Sequence, residues 1–376
     1  HHSLHLFAKT DESQHAGIVQ KLSDQALSGC YSLGNYRLGK DQDQYSNSII
    51  ESNKKQTLMN LIRLRYADTP GLLDTTQLIS GYQLQRNAFV GVASDTFPIR
   101  PNGGLAAQLQ ESPTFTFQPV TGDAYAHSFL RPLPPTTLLP LAMGGLPIDI
   151  LLRLSVQSIN MMSNNRPFSK NKGDIENHSN SKINDFYELT HDLRLLQAAG
   201  LLGIQLQQTA DKTGKAEETH HVYLSITSTN DPALLDIVRK TRELLNFSPK
   251  HDRMEVVYGV GEPQPGEIRI LSRSMLSILG QVAYQIEVPD DEVTSGSTTP
   301  HINVPDQAED QSLITVYSSH NEPKQAFVHV FYDNYYYWID KKDFESKLAF
   351  TITQMLFELS KTSQTPGALV TIPVSK

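Results

Sequence analysis

Two aromatic-rich runs, Ala326 to Tyr332 and Tyr335 to Asp340, are separated only by Asp333-Asn334, and this pattern constrains the chain most. Both central residues tolerate positive φ, as a two-residue turn requires, so the stretch is predicted to be a tight β-hairpin. In that register Val328, Val330, Tyr332, Tyr335, Tyr337 and Ile339 share one face. Phe327, His329, Phe331, Tyr336 and Trp338 share the other. Asp340 is placed to cap a helix over Lys341 to Lys361, with Phe344, Leu348, Ile352, Met355, Leu356 and Leu359 on one apolar stripe. Large apolar side chains on both faces of a hairpin mean either two-sided burial or a contact surface. Tyrosine and tryptophan favour interfaces. Phe331, Tyr335, Tyr336, Tyr337 and Trp338 are therefore the candidate protein-interface residues.

The rest of the chain reads as mixed helices and mainly antiparallel strands, an α+β fold in two domains. Residues 1–48 are polar and read as an extended arm. An N-terminal α+β domain covers 49–165, opening with a helix from Ile49 to Tyr66 that Pro70-Gly71 closes. Leu78 to Leu84, Phe89 to Val92 and Thr114 to Phe117 read as strands, with Ser94 to Ser112 as a long connection. An ordinary half-buried sheet is one reading of them. A strand pair contributed to an oligomeric ring or barrel is the other. Prolines cut Tyr125 to Met162 into short helices, of which Ile150 to Met162 is the best formed. The polar run 166–181 is predicted as a linker.

The C-terminal α+β domain, 182–376, opens with a helix to Ala199 that Gly200 ends. Strands at Leu201 to Gln207 and His221 to Thr227 follow, an order similar to a winged-helix module. Further helices are expected at Asp231 to Leu245 and Ser274 to Ile286. Strands are expected at Met254 to Tyr258, Glu267 to Ile270 and Leu313 to Tyr317, with a last one at Ala368 to Ile372. Val288 to Gln311 reads as a polar loop in which Asp290-Asp291-Glu292 is a solvated acidic turn.

The chemistry-bearing signals are weak. A formal net charge of −8 over 376 residues opposes a sequence-independent nucleic-acid binder, which needs a basic face. The winged-helix-like stretch 181–230 is itself acidic, four basic residues against six acidic, and reads as a packing or protein-binding unit. Cys30 is the one cysteine, which excludes an intrachain disulfide and a cysteine-rich zinc site. Gly259-Val260-Gly261 lacks the following helix that a phosphate loop needs and reads as a hairpin turn. His220 and His221 are adjacent on a strand and face opposite ways, so they do not chelate one metal. No Gly-x-Ser-x-Gly element occurs. No catalytic, cofactor-binding or metal-binding residue is assigned.

No continuous apolar h-region occupies the first 30 residues, so Leu27-Ser28-Gly29-Cys30 reads as a chance match to a lipoprotein cleavage box. The start His1-His2-Ser3 reads as a tag remnant or the cut edge of a longer precursor. The longest apolar run, Leu138 to Ile148, has 11 residues, where a helical span needs about 20.

Three segments carry a resemblance. They are Leu58-Met59-Asn60-Leu61-Ile62-Arg63-Leu64-Arg65-Tyr66-Ala67-Asp68-Thr69-Pro70, the stretch Phe129 to Ile159, and Tyr336-Tyr337-Trp338-Ile339-Asp340 followed by Phe344-Glu345-Ser346-Lys347. Their order and spacing resemble an uncharacterised family of proteobacterial predicted cell-envelope lipoproteins, over most of residues 49–376. The resemblance implies the periplasm or the periplasmic side of the outer membrane, and it supplies no catalytic residues. Membrane attachment would then come from a lipid anchor absent from this chain or through assembly. The expected function is a non-enzymatic structural or scaffold protein that works through protein partners or self-association. The alternatives are a cytoplasmic regulator built on the winged-helix-like stretch and a hydrolase whose site is assembled from distant residues.

Overall fold

Three sheets organise the chain in the computed structural model, which describes residues 46–71, 73–93, 100–119, 126–164, 176–209, 219–300, 312–361 and 370–373. The arm expected over 1–48 lies almost wholly outside the described residues. Two units divide the chain, His1–Leu58 and Met59–Lys376, and all three sheets belong to the second. Helix α1 covers 46–65.

The first sheet is a long antiparallel hairpin, β1 (Leu73–Ala93) with β2 (Arg100–Pro119). Strand β12 (Val370–Pro373) extends it by pairing with residues 114–117 of β2. The connection expected over Ser94 to Ser112 is corrected here, because β2 begins at Arg100 and stays in register with β1. Pro101 and Pro113 lie outside the stretch that β12 covers, where among the described residues no second strand pairs with β2, so their missing N–H groups cost no bond to such a strand.

The second sheet has six strands in the order β4-β3-β8-β7-β6-β5: β3 (Val156–Ile159), β4 (Met162–Ser163), β5 (Leu202–Thr209), β6 (Thr219–Ile226), β7 (Arg253–Tyr258) and β8 (Glu267–Ser272). Strand parity buries Val222, Leu224, Ile226, Met254, Val256, Ile268 and Ile270 on one face. Helices α3 (Pro135–Met143) and α5 (Glu176–Ala198) pack against this sheet. Helix α4 (Ile148–Ser155) packs against α5, and α7 (Met275–Tyr284) packs against α4. A π-helical turn, α2 (Ala126–Leu130), precedes α3. Phe186, Leu189, Leu193 and Leu196 of α5, with Ile148, Leu151 and Leu152 of α4, supply the facing core. Each such side chain is worth about 1.5–3 kcal/mol of burial.

Several expectations are revised in this sheet. The helix expected over Ile150 to Met162 stops at Ser155, and β3 and β4 follow. Asn160 and Met161 have φ of 45° and 69°, so the chain turns back there. Asn160 is pinned in that turn: its Oδ1 accepts from Arg269 N at 2.8 Å and its Nδ2 donates to Leu245 O at 3.2 Å. The sheet takes β3 and β4 from before the expected linker 166–181 and β5–β8 from after it, so strand pairing crosses that boundary. The order α5-β5-β6 is the one expected for the winged-helix-like stretch, but β6 also pairs with β7, so the hairpin is a sheet edge and not a free wing. Strands β7 and β8 are parallel, which overturns the hairpin-turn reading of Gly259-Val260-Gly261. The eight residues between those strands instead carry the chain back alongside β7.

Local capping follows side-chain chemistry. Helix α6 (Pro232–Leu244) is capped by Asp231, whose carboxylate accepts from Ala233 N at 2.9 Å, with Pro232 in its first turn. Ser274 caps α7 by accepting from Ser277 N. Helix α9 (Phe344–Lys361) starts later than expected, because Asp343 and not Asp340 is the cap. Asp343 accepts from Ser346 N at 3.0 Å, while Asp340 accepts from Lys342 N in the preceding turn. The acidic turn expected at Asp290-Asp291-Glu292 is the first turn of a short helix, α8 (Asp290–Ser295). Carboxylates there favour the positive end of the helix dipole.

Arg65 at the end of α1 is buried. Its Nε donates to Ile286 O at 2.9 Å, just past the end of α7. Nη1 donates to Thr298 Oγ1 at 2.6 Å and Nη2 to Thr299 O at 2.7 Å. Burial holds its guanidinium below the usual pKa. A cation at a helix C-terminus also meets the negative end of that dipole.

Candidate interaction surface

The third sheet, in the order β10-β11-β9, carries the aromatic hairpin: β9 (Tyr317–Ser319), β10 (Ala326–Tyr332) and β11 (Tyr335–Asp340). Asp333 and Asn334 have φ of 44° and 71°, and Tyr332 pairs with Tyr335 across them, the two-residue turn expected from their chemistry. The strand expected at Leu313 to Tyr317 is placed later, as β9.

The two faces of this sheet differ in kind. The inner one holds Val328, Val330, Tyr335, Tyr337 and Ile339, all buried. Tyr337 hydrogen-bonds Tyr66 hydroxyl to hydroxyl at 2.5 Å, and the Tyr66 ring lies 5.2 Å from Tyr332. Tyr332 donates to Asp68 at 3.2 Å and Tyr335 to Asp291 at 2.7 Å. His320 stacks on Tyr335 at 4.2 Å. Burial first, then the Tyr66 hydrogen bond, pushes the Tyr337 phenol far up. Donation to Asp291 is the main cause that pushes the Tyr335 phenol up to about 12. Burial also raises Tyr66 and Tyr332.

The outer face holds His329 and Phe331 of β10, Tyr336 and Trp338 of β11, and Tyr317 of β9. Register places Phe331 opposite Tyr336, His329 opposite Trp338, and Trp338 opposite Tyr317. Ring centroids are 4.8 Å apart for Phe331–Tyr336 and 5.8 Å for the stacked Tyr317–Trp338 pair. Phe331 is 53% exposed and Tyr317 46%. His329 is tied at its rim to Glu322, Nε2 to Oε1 3.3 Å. Phe327 leaves this face. The register slips between Ala326 and Val328, and its ring meets Phe350 of α9 edge-on at 6.2 Å.

Of the five candidate interface residues, then, Phe331, Tyr336 and Trp338 lie on the outer face, while Tyr335 and Tyr337 belong to the core. Sequence reasoning missed Tyr317. Its signal was a short apolar run read as a strand four residues too early, so its pairing with Trp338 was not seen.

Two other polar clusters lie in or beside the six-stranded sheet. Arg273 is buried and donates to Arg153 O, Leu154 O and Asn164 O at 3.1–3.2 Å, tying β8 to the end of α4. It lines a recess of about 260 Å³, counting its open mouth, with Arg153, Asn164, Tyr187, Gln281 and Gln285. His221 meets Glu255 at 2.6 Å on the open face of the six-stranded sheet. Among the described residues no group of three or more His, Cys, Asp and Glu converges to hold a metal ion. Comparisons with family models, curated proteins and solved structures find no match to this chain.

Proposed function

We propose that this chain is a non-enzymatic scaffold protein of the bacterial cell envelope that acts through protein–protein contacts, with Tyr317, Phe331, Tyr336 and Trp338 as its contact face. The observation that carries this reading is the outer aromatic face of the third sheet. Its rings are paired with one another, Tyr317 and Phe331 exposed and Tyr336 and Trp338 half-buried beside them. Exposed apolar patches of this kind mark interaction sites, and aromatic side chains are the residues that interfaces favour. The envelope location is supported by the resemblance carried by segments 58–70, 129–159 and 336–347.

Contact energy in such interfaces concentrates in a few buried aromatic anchors. Trp338, at the centre of the face between His329 and Tyr317, is the expected anchor. A photo-reactive amino acid at Phe331 in cells tests this. Crosslinked species that disappear in a Tyr336→Ala/Trp338→Ala background, with the fold intact by circular dichroism, support the reading. An absence of crosslinks, or a double variant that simply unfolds, refutes it. Fractionation of the native gene product with acyl labelling tests the location: a cytosolic, unlabelled product sinks the envelope assignment.

A further inference from the structure

The β1–β2 hairpin divides by parity into two unlike faces. Register pairs Leu84 with Leu109, Arg86 with Ala107, Ala88 with Leu105, Val90 with Gly103 and Val92 with Pro101. These positions share one face, and Arg86 is the one polar residue among them. The alternate pairs, Gln85–Gln108, Asn87–Ala106, Phe89–Gly104, Gly91–Asn102 and Ala93–Arg100, share the other. Amides and small residues make up most of that second face, with Phe89 and Arg100 as its exceptions.

The length of the aliphatic band is informative. It spans nine residues of each strand, 84–92 and 101–109. A tilted strand needs about 9–11 residues to cross a bilayer. Tyr82 and Glu111 pair just below the band, and Arg86 lies one row inside it. Interfaces favour tyrosine, and charge is least costly there. Among the described residues no helix is long and apolar enough to cross a membrane, a fact that bears only on helices.

Edges decide the rest. Strand β12 pairs with 114–117, below the band, and no other strand pairs with 84–109 among the described residues. Lipid supplies no water to open edges, so spanning strands must close into a barrel. Two strands cannot do so alone. We infer that the β1–β2 hairpin crosses a lipid bilayer as two strands of a barrel built from several copies of this chain. The aliphatic face is the lipid side and the amide face the lumen side. This goes beyond the contact reading and uses none of its residues, so either can fail without the other.

The test uses the full chain with vesicles of phosphatidylethanolamine and phosphatidylglycerol. Cys30→Ser gives a cysteine-free background for single cysteines at Ala88, Phe89, Val90 and Gly91, each carrying an environment-sensitive dye. Labels at 88 and 90 are expected to be quenched from within the lipid, and labels at 89 and 91 by aqueous iodide. Entrapped dye should leak, and Ala88→Lys or Leu105→Lys should cut leakage at least about tenfold, whereas Asn87→Lys changes it less than about twofold. No alternation, no leakage, or equal losses on the two faces overturns the inference. So does alternation that appears only when a second protein, and not lipid, is added. If the lysine variants lose their circular dichroism signal, the uncharged cysteine set decides.

Discussion

Deleting either hydroxyl of the Tyr66–Tyr337 pair removes the same hydrogen bond, yet the two deletions should have unequal costs. The oxygens are 2.5 Å apart. Tyr337 is 0% exposed, while Tyr66 is half-buried. Tyr66→Phe therefore leaves a hydroxyl inside the core with no partner, a cost of about 1–3 kcal/mol. Tyr337→Phe leaves the hydroxyl of Tyr66, which has a route to water, so the loss is about 0.5–1.5 kcal/mol. The double variant leaves no stranded group. It should cost less than the two single changes together, by about 1 kcal/mol. Urea unfolding followed by tryptophan fluorescence is a direct assay, since Trp338 is the one tryptophan and adjoins Tyr337 in β11. Midpoints are compared at equal slope. If Tyr337→Phe is the costlier single change, or if the two changes add, the argument from burial is refuted.

Asp291→Asn should release the Tyr335 phenol from about 12 toward the ordinary value near 10, read by ultraviolet titration. In the unmodified chain the folded phenol keeps its proton to about 12 while the unfolded one loses it near 10, so stability falls as pH rises through that window. Asp192 of α5 is buried, its Oδ2 makes no hydrogen bond among the described residues, and desolvation and then Glu188 raise its pKa. Its carboxyl thus favours the protonated fold, so Asp192→Asn should add about 1 kcal/mol at neutral pH. That gain should vanish below about pH 4, as thermal melts at the two pH values would show. Gly203→Ala should cost about 1–3 kcal/mol, because a Cβ there collides with Ser225 Oγ across the β5–β6 pair; an unchanged melting temperature would contradict this.

Features whose causes are local in the chain were the legible ones. The Asp333-Asn334 turn is written in a few adjacent residues and the structure places it as read, and the helices expected from Asp231 and Ser274 start one residue later, each of those residues serving as the cap. Features decided by distant partners were not legible. Val156 to Ile159 is apolar enough for helix or strand, and only pairing with β8 settles it. Pro101 and the adjacent glycines argued for a loop, and full register with β1 overrode them. Asp291 is an ordinary surface acid by sequence, and becomes a fixed acceptor because Tyr335, 44 positions later, reaches it. The contact face divides in the same way. Parity separated its two sides in the sequence, but which side is core depended on where Tyr66 and α9 sit.

Arg65 also sets a timetable for synthesis. Its acceptors, Ile286, Thr298 and Thr299, lie 221 to 234 positions further along the chain. At about 5–20 residues per second, the ribosome makes them tens of seconds after the arginine. For that interval the end of α1 carries Leu61, Ile62 and a cation whose final acceptors do not yet exist. Closing so long a loop is also an entropic hurdle that must be met before the contacts reward it. The hydrogen bonds that hold Arg65 can therefore form only after Ile286, Thr298 and Thr299 have been made.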